Sequence, residues 1–416
     1  NEPNHILQEQ MCQTLHNYTG FSLPAIQDEL KRRLSAQEEE RHRARELVLH
    51  KMVNDIRRHP GDAEAILINA QSSIRNLNKQ QKTDAYSFEG TVSAIMSQKL
   101  NEENRSQKYS GYLLGQDLAS LETALSGEWQ KDVFVCIGGR ANSGKSSFCV
   151  KLLWSIISQS SNDVLGVYLT IDDTFSQLLP KFVCIAEGSR ELEINWATNP
   201  NYYSKVLGPE IIEKRSIGYE RVLKAIREQR LMIKDMNDGN SIAYMETLLA
   251  GLRSKYPDKK IVLVLDNFHV LKDFASFEER VRYKTMSSLL KQLATTYHMT
   301  LISTMEYTKL PMGTRPTNSS IAESVQMEYD TNLIIHLYNE LHELGQNATH
   351  YHIDSKGNKL PRIEVMISKN KISSFKGTLY YDMYPSCSDF VQAPEGCVAA
   401  NVAKLLTSPT REFSLL

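Results

Sequence analysis

An apolar run, followed directly by a glycine-rich loop and a helical pattern, decides the fold of this chain. The run is Val133-Phe134-Val135-Cys136-Ile137, and the loop is Gly139-Arg140-Ala141-Asn142-Ser143-Gly144-Lys145-Ser146-Ser147. The loop fits the pattern GxxxxGK[ST], and its strand–loop–helix context disfavours the alternative of a simple Gly/Ser turn. Backbone N–H groups of such a loop can surround a β-phosphate at a helix N-terminus, where partial positive charge favours anions. The segment predicts a site for a nucleoside triphosphate, with Lys145 on the β/γ-phosphates and Ser146 on Mg²⁺.

The composition is that of an ordinary globular protein. The chain has 416 residues, a net charge of −1, 41% hydrophobic and 23% charged residues, which fits two or three domains or one large α/β unit with helical appendages. The net charge argues neither for nor against a nucleic-acid partner. No apolar run is long enough for a membrane span. Six cysteines without a CxxC pair predict buried free thiols and a reducing compartment.

Four regions are predicted along the chain. Residues 1–80 carry apolar positions at helical spacing and predict a helical N-terminal region. Residues 81–106 predict one amphipathic linker helix, because Phe88, Val92, Ile95, Met96 and Leu100 share a face. Residues 107–392 alternate strand and helix patterns, and 393–416 lose periodicity and predict a tail. Residue 1 is Asn, so we expect a piece cut from a longer polypeptide.

The third region predicts a mostly parallel sheet, because helices separate its earlier strands. The predicted strands are 133–138, 164–171, 230–234, 261–265, 299–304, 331–338, 363–368 and 378–383. The last two are predicted to form a terminal β-hairpin. The fold class is therefore α/β, with a helical region preceding the sheet domain.

Three further strand ends carry candidate catalytic groups. Asp266 ends a fully apolar strand and can hold Mg²⁺ or its water opposite Ser146. Either Asp172 or Asp173 can be the base that polarises the attacking water; Asp172 is favoured for this role, and Asp173 as the cap of the next helix. Thr304 closes another strand and is a candidate γ-phosphate sensor, although a strand-end hydroxyl is also ordinary turn chemistry.

One further motif, His350-Tyr351-His352, is compatible with a metal pair. Alternation in a surface strand or loop is the favoured interpretation, since no cysteine nearby completes a ligand set.

Taken in order, these motifs resemble the ring-shaped replicative helicases of the DnaB type, a RecA-like superfamily. The resemblance covers roughly residues 107–392. It includes the segment around Ser110-Gly111-Tyr112, the phosphate loop, Thr170-Ile171-Asp172, Asp266-Asn267-Phe268-His269 and Lys369-Asn370-Lys371 with Gly377. The segment from Arg315-Pro316 through Ser319-Ser320-Ile321-Ala322-Glu323-Ser324 is similar to the family's DNA-binding channel loop.

The resemblance assigns further residues. Lys369 and Lys371 stand where the family carries its arginine finger on the terminal hairpin, so Lys371 supplies charge without a planar fork. DNA contacts are implied for Lys309, Arg315 and the backbone amides of Glu323, Ser324 and Val325. This chain departs from the family at Asp172 (usually Glu), Thr304 (usually Gln or His) and Ala322 (usually Arg).

The resemblance implies an Mg²⁺-dependent motor that hydrolyses ATP or another NTP, assembles as a ring, expected to be a hexamer, and moves on single-stranded or forked DNA. Leu15, Tyr18, Thr19-Gly20-Phe21-Ser22 and Leu30 faintly resemble the end of a primase catalytic region. This implies the helicase part of a phage or bacterial primase-helicase fusion, acting in the cytoplasm or an organelle. Two alternatives stay open: a RecA/KaiC-like ATPase in recombination or signalling, and a nucleotide-held scaffold ring.

Overall fold

The computed structural model describes residues 22–63, 66–71, 73, 111–307 and 310–394. The chain divides into two compact units, Asn1–Met96 and Ser97–Leu416. The predicted linker helix at 81–106 and residues 395–416 of the predicted tail lie outside the described residues.

The described part of the first unit contains one long helix, α1 (Leu23–Arg58), of 36 residues. At 1.5 Å per residue it extends for about 54 Å. A proline in its first turn and Arg57 and Arg58 in its last turn suit the two ends of a helix. A 3₁₀ turn, Pro60–Asp62, follows, and residues 66–71 are helical. The predicted helical N-terminal region is confirmed.

The second unit contains one ten-stranded sheet. Its strands are β1 (Phe134–Gly139), β2 (Val164–Thr170), β3 (Leu231–Lys234), β4 (Lys260–Asp266), β5 (Met299–Glu306), β6 (Leu333–Asn339), β7 (Tyr351–Ile353), β8 (Lys359–Asn370), β9 (Gly377–Tyr384) and β10 (Asp389–Gln392). All eight predicted strands are present, and β7 and β10 were not predicted.

The strand order is β10-β9-β8-β6-β1-β5-β4-β2-β3, with β7 paired to β8. The six strands from β6 to β3 are parallel. The strands β8, β9 and β10 continue the sheet in antiparallel fashion. The mostly parallel sheet and the terminal hairpin of β8 and β9 are therefore confirmed.

Helices connect the strands. They are α2 (Ala119–Ala124), α3 (Lys145–Ser158), α4 (Phe175–Glu187), α5 (Ile194–Thr198), α6 (Pro200–Leu207), α7 (Glu210–Arg227), α8 (Ile242–Lys255), α9 (Glu279–Thr296), α10 (Val325–Asp330) and α11 (Glu340–Leu344). Short 3₁₀ helices lie at Gln116–Leu118, Phe268–Val270, Asn318–Ser324 and Gly345–Asn347.

The core lies between the sheet and helices such as α3. All residues of β1 and β2 are buried, as expected for parallel strands covered on both faces. A Cβ on Gly166 in β2 would lie 2.8 Å from side-chain atoms of Leu153 and Ile157, so α3 packs directly on the sheet. This packing fixes the start of α3 beside the ends of β1 and β2.

Cys136 and Cys149 are buried free thiols, as predicted. Cys12 and Cys397 lie outside the described residues. Within the described residues, no helix combines the length and the apolar character that crossing a bilayer requires.

Candidate nucleotide site

The loop between β1 and α3 has the backbone shape that its glycines and Asn142 allow. Asn142 and Gly144 adopt left-handed conformations, with φ of 59° and 94°, and a side chain at the second position would be strained. A Cβ on Gly139 would lie 2.3 Å from Ser143 Oγ. The loop is therefore closed tightly against itself.

Lys145 and Ser143 fit a bound anion. Lys145 is 8% exposed, and its ammonium donates to the carbonyls of Gly139 at 3.1 Å and Arg140 at 2.7 Å. Burial lowers the pKa of Lys145, against which Glu306 and Asp266 act as raising charges. Among the described residues, the buried Ser143 hydroxyl has no hydrogen-bond partner. An unsatisfied buried hydroxyl beside a buried ammonium is the donor set that a phosphate would satisfy.

Asp266 is held by hydroxyl groups from both neighbouring strands. Tyr168 on β2 donates to Asp266 Oδ2 at 2.7 Å, and Thr304 on β5 donates to Oδ1 at 2.6 Å. Burial raises the pKa of Tyr168 well above its ordinary value, so the phenol stays protonated and donates. The carboxylate is therefore oriented at the edge of the sheet, where it and the Ser146 hydroxyl can hold Mg²⁺.

Thr304 does not lie where a γ-phosphate sensor is expected. It is fully buried, and its hydroxyl is bonded to Asp266. The strand continues two residues further than predicted, to Glu306. The geometry therefore makes Thr304 a positioning residue for Asp266 and leaves Glu306 at the open end of β5.

Glu306 is a site residue that sequence analysis missed. It lies opposite Gly139 in the parallel register of β5 and β1, and it is partly exposed. Its carboxylate is close enough to influence the pKa of both Lys145 and Asp172. The sequence signal was weak, because Ser303 and Thr304 interrupt the apolar pattern before Met305 and the strand end at Glu306.

Asp172 lies just beyond the end of β2, close enough to Lys145 and Asp266 for their charges to affect its pKa. It follows β2, whose last residue is paired with Asp266, and it is exposed. Partial burial, and then the negative charges of Asp173, Asp266 and Glu306, raise the pKa of Asp172, while Lys145 lowers it. A carboxylate with a raised pKa accepts a proton more readily than an ordinary one.

The prediction that Asp173 caps the next helix is wrong. Thr174 is the N-cap of α4 and forms a capping box with Gln177. The Asp173 carboxylate forms an ion pair with Lys181 at 2.9 Å instead. The threonine is preferred because its hydroxyl and Gln177 satisfy two helix-start amides reciprocally.

Lys369 and Lys371 lie near the amino end of β1, whereas the phosphate loop follows its carboxyl end. The backbone N–H of Lys371 donates to the backbone carbonyl of Asn332 at 2.9 Å, and the backbone N–H of Asn332 donates to the carbonyl of Phe134 at 2.7 Å. Phe134 begins β1, whereas the phosphate loop follows its end at Gly139. The six residues of β1 therefore separate the two lysines from the phosphate loop by about 17–20 Å. The structure does not bring these lysines to the Lys145 site of the same chain.

Four of the five predicted DNA-binding residues are described, and they lie in the connection between β5 and β6. The Arg315 guanidinium is paired with Glu364 at 2.6 Å and 2.8 Å, which raises the pKa of the arginine. Glu323 and Ser324 belong to the 3₁₀ helix Asn318–Ser324, and Val325 begins α10. Lys309 lies outside the described residues.

This segment is tied to the phosphate loop. The Arg140 side chain forms an ion pair with Glu343 at 3.1 Å and donates to the carbonyl of Leu310. Glu343 also accepts the amide of Gly313 at 3.0 Å. One carboxylate on α11 therefore contacts both the phosphate loop and residues 310–313.

His352 lies in strand β7 (Tyr351–Ile353) but is buried rather than at the surface, and His350 precedes the strand. Ligand atoms of Glu340, His350 and Glu364 lie within 4.8 Å of one another. Arg315, however, is paired with Glu364 and lies 3.6 Å from Glu340. The cluster already holds its own cation, and we assign no metal to it.

Comparisons with known proteins agree with this geometry. Residues 114–381 match the model of the DnaB-like helicase C-terminal domain, which is more than half of the chain. The chain is similar to a solved structure described as an ATPase domain, with a TM-score of 0.60 and 17% identity over 74% of this chain and 99% of that one. It is also similar to a DnaB-like replicative helicase whose structure was described with its interactions with primase. There the TM-score is 0.60 and the identity 17%, over 87% of this chain and 78% of the other.

At such identity the two structures show the fold alone. No curated protein matches the chain. The family model, together with the phosphate loop after β1 and Asp266 at the end of β4, shows that this chain belongs to the DnaB-like helicase family.

Proposed function

We propose that this protein is a replicative DNA helicase that hydrolyses ATP, or another NTP, between the subunits of a ring and moves on single-stranded DNA. The observation that carries the proposal is the separation of two sets of charged groups. The phosphate loop follows the carboxyl end of β1, and Lys369 and Lys371 lie near its amino end. Only a neighbouring copy can bring these lysines to a phosphate held by Lys145.

Within one subunit, Lys145 and the amides of the loop bind and orient the triphosphate. Asp266, fixed by Tyr168 and Thr304, and Ser146 hold Mg²⁺, which neutralises charge on the phosphates when it is bound. Asp172 accepts a proton from the attacking water. The raised pKa of Asp172 suits this role.

Across the interface, Lys369 and Lys371 of the neighbouring subunit stabilise the charge that develops on the transferred phosphoryl group. Such a contribution is electrostatic and is lost when the interface opens. Hydrolysis is thereby linked to the relative position of two subunits. A ring, expected to be a hexamer, can pass this change around its circumference.

The segment 310–330 is the proposed contact with the DNA strand. Its support is the contact of residues 310–313 with the phosphate loop, through Arg140 and Glu343. Backbone amides at 323–325 suit phosphate contacts that do not depend on sequence. The Arg315 charge is shared with Glu364, so we expect a weaker contribution from it than from an unpaired arginine. A primase, fused or separate, is a further proposed partner.

ATP turnover of the full chain, measured with and without single-stranded DNA, tests the proposal. Lys145→Ala should abolish turnover. Lys371→Ala should lower kcat by at least about tenfold while nucleotide binding stays unchanged. The matched control is Lys376→Ala, an exposed lysine of the same hairpin, which should behave like the unaltered protein.

Other results would favour the alternatives. Turnover without displacement of a forked DNA strand favours a RecA/KaiC-like ATPase. A ring that binds nucleotide but shows no turnover, with or without DNA, favours a scaffold. Full turnover by a chain that stays monomeric, measured by light scattering, refutes hydrolysis between subunits.

A further inference from the structure

A third lysine lies beside Lys369 and Lys371. Lys291, on α9, donates to Asn332 Oδ1 at 2.6 Å. Asn332 also accepts the Lys371 amide through its carbonyl and the Phe134 amide through its side chain at 3.0 Å. One asparagine thus fixes the Lys291 ammonium next to the backbone of Lys371.

The three ammonium groups influence one another. The pKa of Lys369 falls to about 8, first because of burial and then because of the charge of Lys371. The pKa of Lys291 is also lowered, by burial first and by Lys371 second. Such mutual repulsion is unfavourable unless an anion compensates it.

The carboxylates nearby are committed to other donors. The charge of Asp330 raises the pKa of both Lys291 and Lys369. Its carboxylate accepts hydrogen bonds from Ser287 at 2.7 Å and from Gln326 at 3.0 Å. The charge of Glu328 raises the pKa of Lys369, and its carboxylate accepts a hydrogen bond from Asn318 at 3.0 Å. Three cations therefore face two carboxylates that already have partners, which leaves a surplus of positive charge at this edge of the sheet.

We propose that Lys291 is a catalytic residue that, together with Lys371, contacts the terminal phosphate of the nucleotide bound by the neighbouring subunit. This inference rests on the proposed function. An arginine offers two parallel N–H donors from one planar group, and a lysine offers one point charge. The Lys291 ammonium, which Asn332 holds next to the Lys371 backbone, supplies the second point of contact that Lys371 alone lacks.

The proposal is tested by ATP turnover of Lys291→Gln in the full chain, with saturating DNA. Glutamine keeps most of the stem and the ability to donate to Asn332, but it removes the charge. We expect kcat to fall by about 10- to 100-fold, with nucleotide binding unchanged. The control is Lys284→Ala, an exposed lysine on the same helix, which should leave turnover unaltered.

A mixing experiment separates a contact across the interface from a structural effect. Lys291→Gln subunits retain the phosphate loop, and Lys145→Ala subunits retain the lysine group. If Lys291 acts across the interface, mixing the two inactive variants restores part of the turnover, because some interfaces then combine two intact halves. Failure of mixing to restore turnover, under conditions where Lys371→Ala is rescued, overturns the proposal.

The pH profile provides a readout that a purely structural role would not move. The Lys291 charge helps to depress the pKa of Lys369, so its removal should shift the alkaline limb of turnover to higher pH. Wild-type kcat in Lys291→Gln also overturns the proposal. If the unaltered protein shows no turnover at all, the proposed function fails, and that result is distinct from either outcome.

Discussion

Replacement of Thr304 by valine should impair the chemistry without unfolding the protein. Valine has nearly the same shape as threonine but lacks the hydroxyl that donates to Asp266 Oδ1 at 2.6 Å. The carboxylate would keep one partner, the Tyr168 phenol at 2.7 Å. It could then rotate about that remaining bond and away from the position that Mg²⁺ requires.

The size of the effect follows from the environment of the bond. Both partners are buried, and a hydrogen bond to a charged group contributes about 1.5–3 kcal/mol. Each 1.36 kcal/mol corresponds to about tenfold in rate. Because Tyr168 still holds the second oxygen, we expect the lower end, about a tenfold loss of kcat, and a higher Mg²⁺ concentration for half-maximal rate.

The assay is ATP turnover titrated with Mg²⁺, with Ser303→Ala as the matched control. Ser303 is the preceding residue on β5 and equally buried, and its hydroxyl has no hydrogen-bond partner within the described part of the chain. Its removal should change neither kcat nor the Mg²⁺ dependence. If Thr304→Val behaves like Ser303→Ala, the assignment of Thr304 as the group that positions Asp266 is wrong.

Three other charged contacts can be tested in the same way. Glu343→Gln weakens the 3.1 Å pairing with Arg140, so the ratio of ATP turnover with and without DNA should fall while binding of nucleotide persists. Asp389→Asn leaves the buried Lys151 with only one of its two carboxylate partners, Asp117 at 2.6 Å, and should lower the free energy of unfolding in urea by about 1–3 kcal/mol. Turnover should decline as pH rises through about 8, because Lys369 then loses its proton. Lys369→Arg should remove that decline, and its persistence would exclude Lys369 as the titrating group.

The sheet was predictable because its central strands are buried on both faces. The runs Val133–Ile137 and Ile261–Leu265 are continuously apolar, and a pattern of this kind marks a parallel strand covered by helices. The two short strands were missed for the opposite reason. Tyr351–Ile353 and Asp389–Gln392 have three and four residues, mix polar and apolar side chains, and are defined by pairing with β8 and β9 rather than by their own pattern.

The residues of the phosphate loop could be predicted from the sequence. The residues that position Asp266 could not. The loop Gly139–Ser147 has a fixed spacing, and the structure gives it the expected place between β1 and α3. Thr304 and Glu306 are two residues apart on β5, so their side chains lie on the same face of the sheet. Which of them is nearer the ligand depends on where β5 ends. The partners of Asp266 come from other strands and depend on register across the sheet, which no local pattern encodes.

The attachment of Asp266 to Tyr168 and Thr304 links three adjacent strands, since the three residues belong to β4, β2 and β5. A slip of one residue between β4 and either neighbour would move a hydroxyl by about 3.3 Å and turn it to the opposite face. An incorrectly aligned sheet would therefore leave a buried carboxylate without its donors, at a high energetic cost. The carboxylate that we propose as a metal ligand therefore also disfavours misaligned pairings of the central strands.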